Sequence, residues 1–580
     1  VALDTIRTWV GDAQPAGLLG AGWRCSWDVD AVYTDPMVVV RDGARSIVFQ
    51  PGSSPGRYLN AQQEELVLGK DRSATWARSD GTQDHFDGRG RLVARDLRNG
   101  NRLRFQYDAQ GRLSRIDGPR KARLEFVTDA DGRLRSLVDG EGHRCRYDYT
   151  NGLLREVAAD GLPPVRFAYD AGGHLVRAEG PGSERVEIAY DAQHRVQGRT
   201  RAGGGGERYV YGADGRSFQV VAASGGKTTT TRSADGGREE TVDAMGGTTV
   251  SDLDDAGRPV AITRPGGAVL RFAYDERGRM TRLEEPGGRV STFEYLGATA
   301  LRTRTTSPGG RVEETRYDAQ MNPVEVRRDG RLVARLAYLS DGLVKSAQDE
   351  SGQERAFIYD DAGRLQVVRA APGRDVRTDY DAQGRRVRLT DPAGGSASWT
   401  YDAQGRLVAA ADSTGAATRY GYDDAGQLAT VTDPEGQTTR MERDAAGRLA
   451  SITGPDGGVT RYHHDAAGRL VKMVHPDGAE ETFAFDSAGR LSARTEYSGA
   501  SWSYVYDLMG RVVSVEGPMG YRETKAYDAD GRLVAATDAL GRKTEFRYGA
   551  RKHARVYSLI TPASERSAPM RPLFATCQIA

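Results

Sequence analysis

Cysteine is nearly absent: Cys25, Cys145 and Cys577 are the only three in 580 residues. They are odd in number, far apart and in no metal-ligand spacing, so neither a disulfide framework nor a zinc site is indicated. An excess of one charge is absent too. The 81 Lys+Arg against 80 Asp+Glu leave no basic surplus to neutralise a phosphate backbone, so nucleic acid is not an expected partner. No apolar run approaches the ~18 residues of a membrane span. The start VALDTIRTWVGDAQP has no charged-then-apolar signal region, and its first residue, Val1, suggests a fragment or a processed chain. Apolar residues reach only 38% with a mean hydropathy of -0.59, although the chain has about four times the ~150 residues of the soft domain prior. A set of densely cored enzyme domains is disfavoured.

Glycine is plentiful, at 72 residues, and Tyr (26) is twice Phe (13), a turn-rich β composition. Self-similarity explains both. The phrase Tyr-Asp-x-x-Gly-Arg-Leu recurs at Tyr107, Tyr401 and Tyr527, and weaker copies fill a grid of 23 registers from 86 to 548. Every step is 21 residues except one of 20 and one of 22. The register holds Tyr at 16 positions and Phe at two, and the fifth position is Gly at 18. Repeat-defining residues are Tyr107, Asp108 and Gly111; Tyr359 and Gly363; Tyr380 and Gly384; Tyr401, Asp402 and Gly405; Tyr422 and Gly426; Tyr506 and Gly510; and Tyr527, Asp528 and Gly531.

The phrase predicts its own shape. The Asp carboxylate can accept forward N–H groups as an Asx-turn, and the Gly can take φ > 0, closing a hairpin. A second turn signal follows eleven residues after the ring, as in Asp391-Pro392-Ala393-Gly394 and Asp433-Pro434-Glu435-Gly436. Two turns per 21 residues leave two strands of about six residues. An aromatic stands two residues before the register in 14 repeats, as in Phe105/Tyr107 and Trp399/Tyr401, so both rings face one side of a strand. The fold class is all-β: a hairpin array wound as a spiral sheet. Some 46 strands at ~4.8 Å make a ribbon about 220 Å long, which must coil; two turns give a backbone diameter near 35 Å. A compact folded guest would not fit inside this piece, so any guest is expected to be incompletely folded, or else the complete shell includes more chain than is present here. A β-propeller would need 11 or 12 blades, beyond the usual ~4–8, and a calcium β-roll would need more oxygens than this phrase supplies.

Reactive constellations are outweighed by plainer readings. His464 holds a ring register beside His463, with His475 in a turn; His194 occupies a Gly position, where αL is expected. Asp423-Asp424 and Asp254-Asp255 sit in turns, one capping and one solvated. Gly203-Gly204-Gly205-Gly206 is a loop without the following Lys-Ser/Thr of a phosphate cradle. Arg112, Arg406, Arg448, Arg469 and Arg532, at the sixth position, are expected to pair with Asp or stack on Tyr. No catalytic residue, metal site or cofactor is expected.

These residues resemble the YD repeat of RHS proteins, over roughly 86–553. Residues 1–85 are similar to the β-rich segment that precedes the first repeats in bacterial members, on Gly17-Leu18-Leu19-Gly20-Ala21-Gly22-Trp23, Ser26-Trp27-Asp28, Arg41-Asp42-Gly43-Ala44 and Ile47-Val48-Phe49. The expected division is a cap over 1–85, the array over 86–553 and an irregular tail over 554–580. The resemblance implies a β-strand cocoon of a secreted or cell-surface polymorphic toxin system, partnered by a C-terminal toxin effector and secretion machinery. The chain lacks the Asp-Pro-x-Gly-Leu core segment and self-cleaving aspartates that end the family's repeats, so neither self-cleavage nor toxicity carries over. The expected function is a non-enzymatic shell that encapsulates or presents an effector. The alternative is an adhesin or carbohydrate-binding array using exposed rings as sugar platforms.

Overall fold

A computed structural model describes residues 18–548 except 20, 22, 44, 181–184, 203–204 and 529–530, together with the backbones of Arg7–Trp9 and Ala554–Tyr557. Gly17, Gly20, Gly22, Ala44, Gly203, Gly204 and Cys577 therefore lie outside the described residues. From Val29–Thr34 to Ala554–Tyr557 each strand pairs antiparallel with the next in sequence, making one continuous ribbon. Ala554–Tyr557 pairs with Lys543–Tyr548, so the ribbon runs into the segment expected to be an irregular tail.

Local chemistry builds each hairpin as the phrase predicts. In the turn after Tyr107, the Gly111 N–H donates to the Asp108 carbonyl at 2.9 Å and the Asp108 N–H to the Arg112 carbonyl at 2.8 Å. Gly111 has φ +80°, the αL residue that closes a type I turn with a bulge. The bulge explains a departure from strict alternation. Tyr107 opposes Leu113 and Phe105 opposes Ile116, with one residue added between them. The 20-residue step has its own cause: Asn151 and Gly152, both at positive φ, make a two-residue hairpin in which Thr150 opposes Leu153. The 22-residue step widens the turn to Leu296–Leu301, and its Ala300 N–H donates to the Ser79 carbonyl at 2.6 Å, far away in sequence.

That last contact belongs to a seam. The two turn types lie on opposite edges of the ribbon, and the second-type turns of the first wrap meet the Tyr-Asp turns of the next. Asn101 donates to the Asp341 carbonyl at 2.7 Å and Arg120 to the Asp360 carbonyl at 3.0 Å. Arg120 also pairs with the Asp341 carboxylate, and Ser224 donates to the Ser487 carbonyl at 3.3 Å. Partners across the seam are 214 to 263 residues apart, so a wrap takes roughly a dozen repeats and the described chain makes about two. At ~4.8 Å per strand, such a wrap has a circumference of about 115 Å, in line with the sequence-based size. Seam contact demands small residues: a Cβ on Gly226 would lie 2.1 Å from the Ser487 carbonyl oxygen.

At its start the ribbon curls tightly. Asp30 bridges to Arg91, and the Ala31 N–H donates to the Gly90 carbonyl at 2.8 Å. Inside the curl Phe49, Leu66, Trp76 and Phe86 are buried. Asp84, fully buried, is held by Arg78 and by Arg95 at 2.5 Å, which satisfies a charge that would otherwise be costly.

Candidate functional site

The segment from Leu18 to Asp28 decides which face of the ribbon is inside. The Leu134 N–H donates to the Leu18 carbonyl at 2.8 Å. The Trp23 indole donates to the Tyr169 hydroxyl at 2.9 Å and packs edge-on against Phe167, while Trp27 lies against Phe105. One short segment thus touches strands three repeats apart, which requires the ring face to be concave around it. Asp28 anchors the segment by accepting the Leu18 and Cys25 N–H groups at 2.9 and 2.7 Å. Burial, and the Asp28 carboxylate beside it, push the Cys25 thiol upward in pKa, so it stays protonated. Where this plug lies against the wall, Phe105, Leu113, Ile116, Phe126 and Leu154 are buried.

Past residue 175 the same face is uncovered. Among the described residues beyond that point only Ala268 and Val367 are buried apolar side chains. Trp399, Tyr401, Leu407 and Ala410, which share the concave face, are half-buried. The result is a concave wall of half-exposed aromatic and aliphatic rows.

Each row is held by a clasp that links consecutive repeats. Asp402 accepts the Gln404 and Arg406 N–H groups at 3.0 and 2.8 Å and the Arg406 guanidinium at 2.7 Å. That guanidinium then lies 4.6 Å from the centre of the Tyr422 ring in the next repeat. The Tyr422 hydroxyl reaches back to donate to the Leu407 carbonyl at 2.7 Å. The same reach is made by Tyr107 to Leu92, Tyr359 to Val344, Tyr380 to Leu365, Tyr401 to Arg386, Tyr506 to Leu491 and Tyr527 to Val512, over 2.8 to 3.4 Å. Gly363, Gly384, Gly405, Gly426, Gly510 and Gly531 are all at positive φ in the turns, and Asp108 and Asp528 cap theirs. Arg112, Arg448, Arg469 and Arg532 pair with the Asp four residues before them.

Electrostatics of the clasp follow from this geometry. Hydrogen bonds from the Arg258 guanidinium and N–H hold Asp254 below the usual carboxylate range. At Asp402 desolvation pushes the other way, and the Arg406 N–H and guanidinium outweigh it. Burial raises Tyr107, and it raises Tyr169 to about 12. These are structural carboxylates and phenols.

The structure places the histidines and carboxylate pairs singled out in the sequence in turns and on strand faces. His194 sits at φ +60° in its turn. His463 is exposed and His464 faces inward opposite Leu470, while His475 bonds Glu481 at 3.0 Å and packs on Tyr497. Asp423 caps its turn and Asp424 is exposed, and Asp254 and Asp255 divide the same way. Among the described residues no group of three or more His, Cys, Asp or Glu could hold a metal ion, and no helix is long and apolar enough to cross a membrane. What sequence reasoning missed is the backward bond of each Tyr hydroxyl. Its signal was the preference for Tyr over Phe at the register.

Comparison with known proteins agrees with the architecture. No curated protein matches the chain. The chain resembles the crystal structure of TcdB2-TccC3-Cdc42 with a TM-score of 0.54 at 12% identity, covering 91% of this chain and 38% of that one. The crystal structure of TcdB2-TccC3 without its hypervariable C-terminal region matches with a TM-score of 0.48 at 12% identity, over 91% of this chain and 37% of that one. This chain thus spans well under half the length of the structures it resembles. Residues 254–290 and 527–553 match the RHS repeat, and residues 65–229 and 374–516, more than half the chain, match the teneurin YD-shell. With its rings and turn glycines clasped into a spiral wall, the chain belongs to the YD-shell family of RHS/YD-repeat proteins.

Proposed function

We propose that this chain is a non-enzymatic wall that encloses a polypeptide effector against its concave face and keeps it incompletely folded until delivery from the cell. The observation that carries the reading is the row of half-exposed rings and aliphatic side chains past residue 175. Burying such side chains is worth roughly 1.5–3 kcal/mol each, so an apolar segment that has not yet folded gains by lying along them. A backbone diameter near 35 Å, less the side chains, leaves less room than a folded domain of about 100 residues requires. The first 85 residues act as the cap, closing one end through the Leu18–Asp28 plug, and 86–553 form the wall. Effector, secretion machinery and a secreted or cell-surface location enter through the family and are part of the proposal. The adhesin alternative needs outward-facing rings, whereas the rings here face inward with their hydroxyls engaged.

The test is co-expression with a candidate effector followed by limited proteolysis. Enclosure predicts a guest resistant to protease while the wall is intact and digested once it is denatured. Rapid digestion of the guest inside an intact wall would sink the proposal.

A further inference from the structure

Strand alternation places the residue three before each ring on the convex face. Along the first wrap and into the second, most arginines at this position face carboxylates on a neighbouring strand, with Arg208, between Gly198 and Val221, an exception. Arg104 stands opposite Asp117 and Arg271 opposite Glu284, while Arg166 bonds Glu156 at 2.8 Å and Arg335 bonds Glu325 at 3.2 Å. Further on the pattern changes. Arg419, Arg440 and Arg461 occupy three consecutive repeats and all are exposed. Their cross-strand neighbours are Ala409 and Thr432, Thr430 and Thr453, and Ser451 and Val474. Among the described residues no carboxylate forms an ion pair with any of these three. The nearby carboxylate on this face, Glu442, accepts the Ser451 hydroxyl at 2.9 Å, and the next cation along, Lys472, is paired with Glu480 at 2.6 Å.

Consecutive arginines are two strands apart, about 10 Å, on a sheet whose paired strands fix that spacing. Like charges in such a row repel one another, and the one carboxylate among them, Glu442, is engaged by the Ser451 hydroxyl rather than by an arginine. The guanidinium fork matches oxyanions such as sulfate or carboxylate, and the threonine hydroxyls between the arginines can bond sugar hydroxyls. This stretch of the convex face carries no Phe, Tyr or Trp ring on which successive bases could stack, only the imidazole of His463 at its end, which disfavours a single-stranded nucleic acid.

We propose that Arg419, Arg440 and Arg461 form a binding track for a linear anionic polysaccharide, one whose sulfate or carboxylate groups recur along an extended chain. The track lies on the outside of the wall and is independent of any enclosed guest, so its failure would leave the enclosure reading untouched.

Binding to immobilised dextran sulfate, unmodified dextran and a single-stranded oligonucleotide tests it with the full chain. The parent protein is expected to bind dextran sulfate and not dextran. The triple variant R419S/R440S/R461S should lose about tenfold or more in affinity. The control R166S/R271S/R335S, which removes the same charge elsewhere on the face, should stay within about twofold. The single variant R440S, read beside far-ultraviolet circular dichroism, separates lost binding from lost folding and should weaken binding with the strand signal intact. Equal losses in the two triples, absence of dextran sulfate binding, or equally tight oligonucleotide binding through the same arginines would overturn the proposal.

Discussion

The guanidinium of Arg406 is shared between two repeats: it is bonded to Asp402 in its own turn at 2.7 Å and lies 4.6 Å from the centre of the Tyr422 ring in the next. Because Tyr422 in turn bonds the Leu407 carbonyl, the contact works in both directions. A single hairpin is marginal in water, and stability comes from such neighbour terms.

Removing one half of the clasp should therefore have a modest, measurable cost. Tyr422→Phe keeps the ring over Arg406 and loses the hydroxyl bond, so it should lower stability by about 0.5–1.5 kcal/mol. Urea denaturation checks this, and an unchanged midpoint would mean that the hydroxyl bonds water equally well when the wall unfolds.

The seam makes a sharper prediction. Gly226→Val would drive a side chain into the Ser487 carbonyl, where even a Cβ sits at 2.1 Å. The wraps should part locally, with faster amide exchange at both 222–226 and 486–490. Acceleration confined to 222–226 would show that the two edges are not coupled.

Acid should loosen the turns. The Asp254 and Asp402 pKa values are lowered in the folded wall. Such groups contribute stability that is fully present above the unfolded-state pKa of about 4 and is lost as pH falls through the lower folded value. The denaturation midpoint should be flat near neutrality and drop below about pH 4. Asp254→Asn should flatten part of that drop, and an undiminished acid transition in a variant with several turn aspartates replaced would contradict the assignment.

Asp84 is the most exacting charge in the cap. Asp84→Ala would leave Arg78 and Arg95 without their shared carboxylate and should cost about 3–5 kcal/mol. Calorimetry should show the cap melting early, and a cost below about 1 kcal/mol would mean that Asp42, already bonded to Arg78, suffices.

The plug can be tested at Trp23. Trp23→Ala removes the contacts to Phe167 and Tyr169 and should destabilise the first wrap by about 3–5 kcal/mol. Tyr and Trp fluorescence of the first wrap should report it, and retention of parental stability would show that the ring wall there does not depend on the segment it surrounds.

The sequence by itself determined the turns, the strands and their period. Asp108, Gly111 and their counterparts specify a turn within five residues, Phe105 and Tyr107 specify a shared strand face, and a period of 21 repeats both, so hairpin, array and approximate girth could be read without coordinates. Tertiary structure alone decided that the rings face inward, because that depends on Trp23 meeting Tyr169 across 146 residues. It alone decided that opposite edges mate, as Arg120 does with Asp360 across 240 residues. Pairings at such distances depend on the curvature accumulated over a dozen hairpins, and no single repeat encodes that sum.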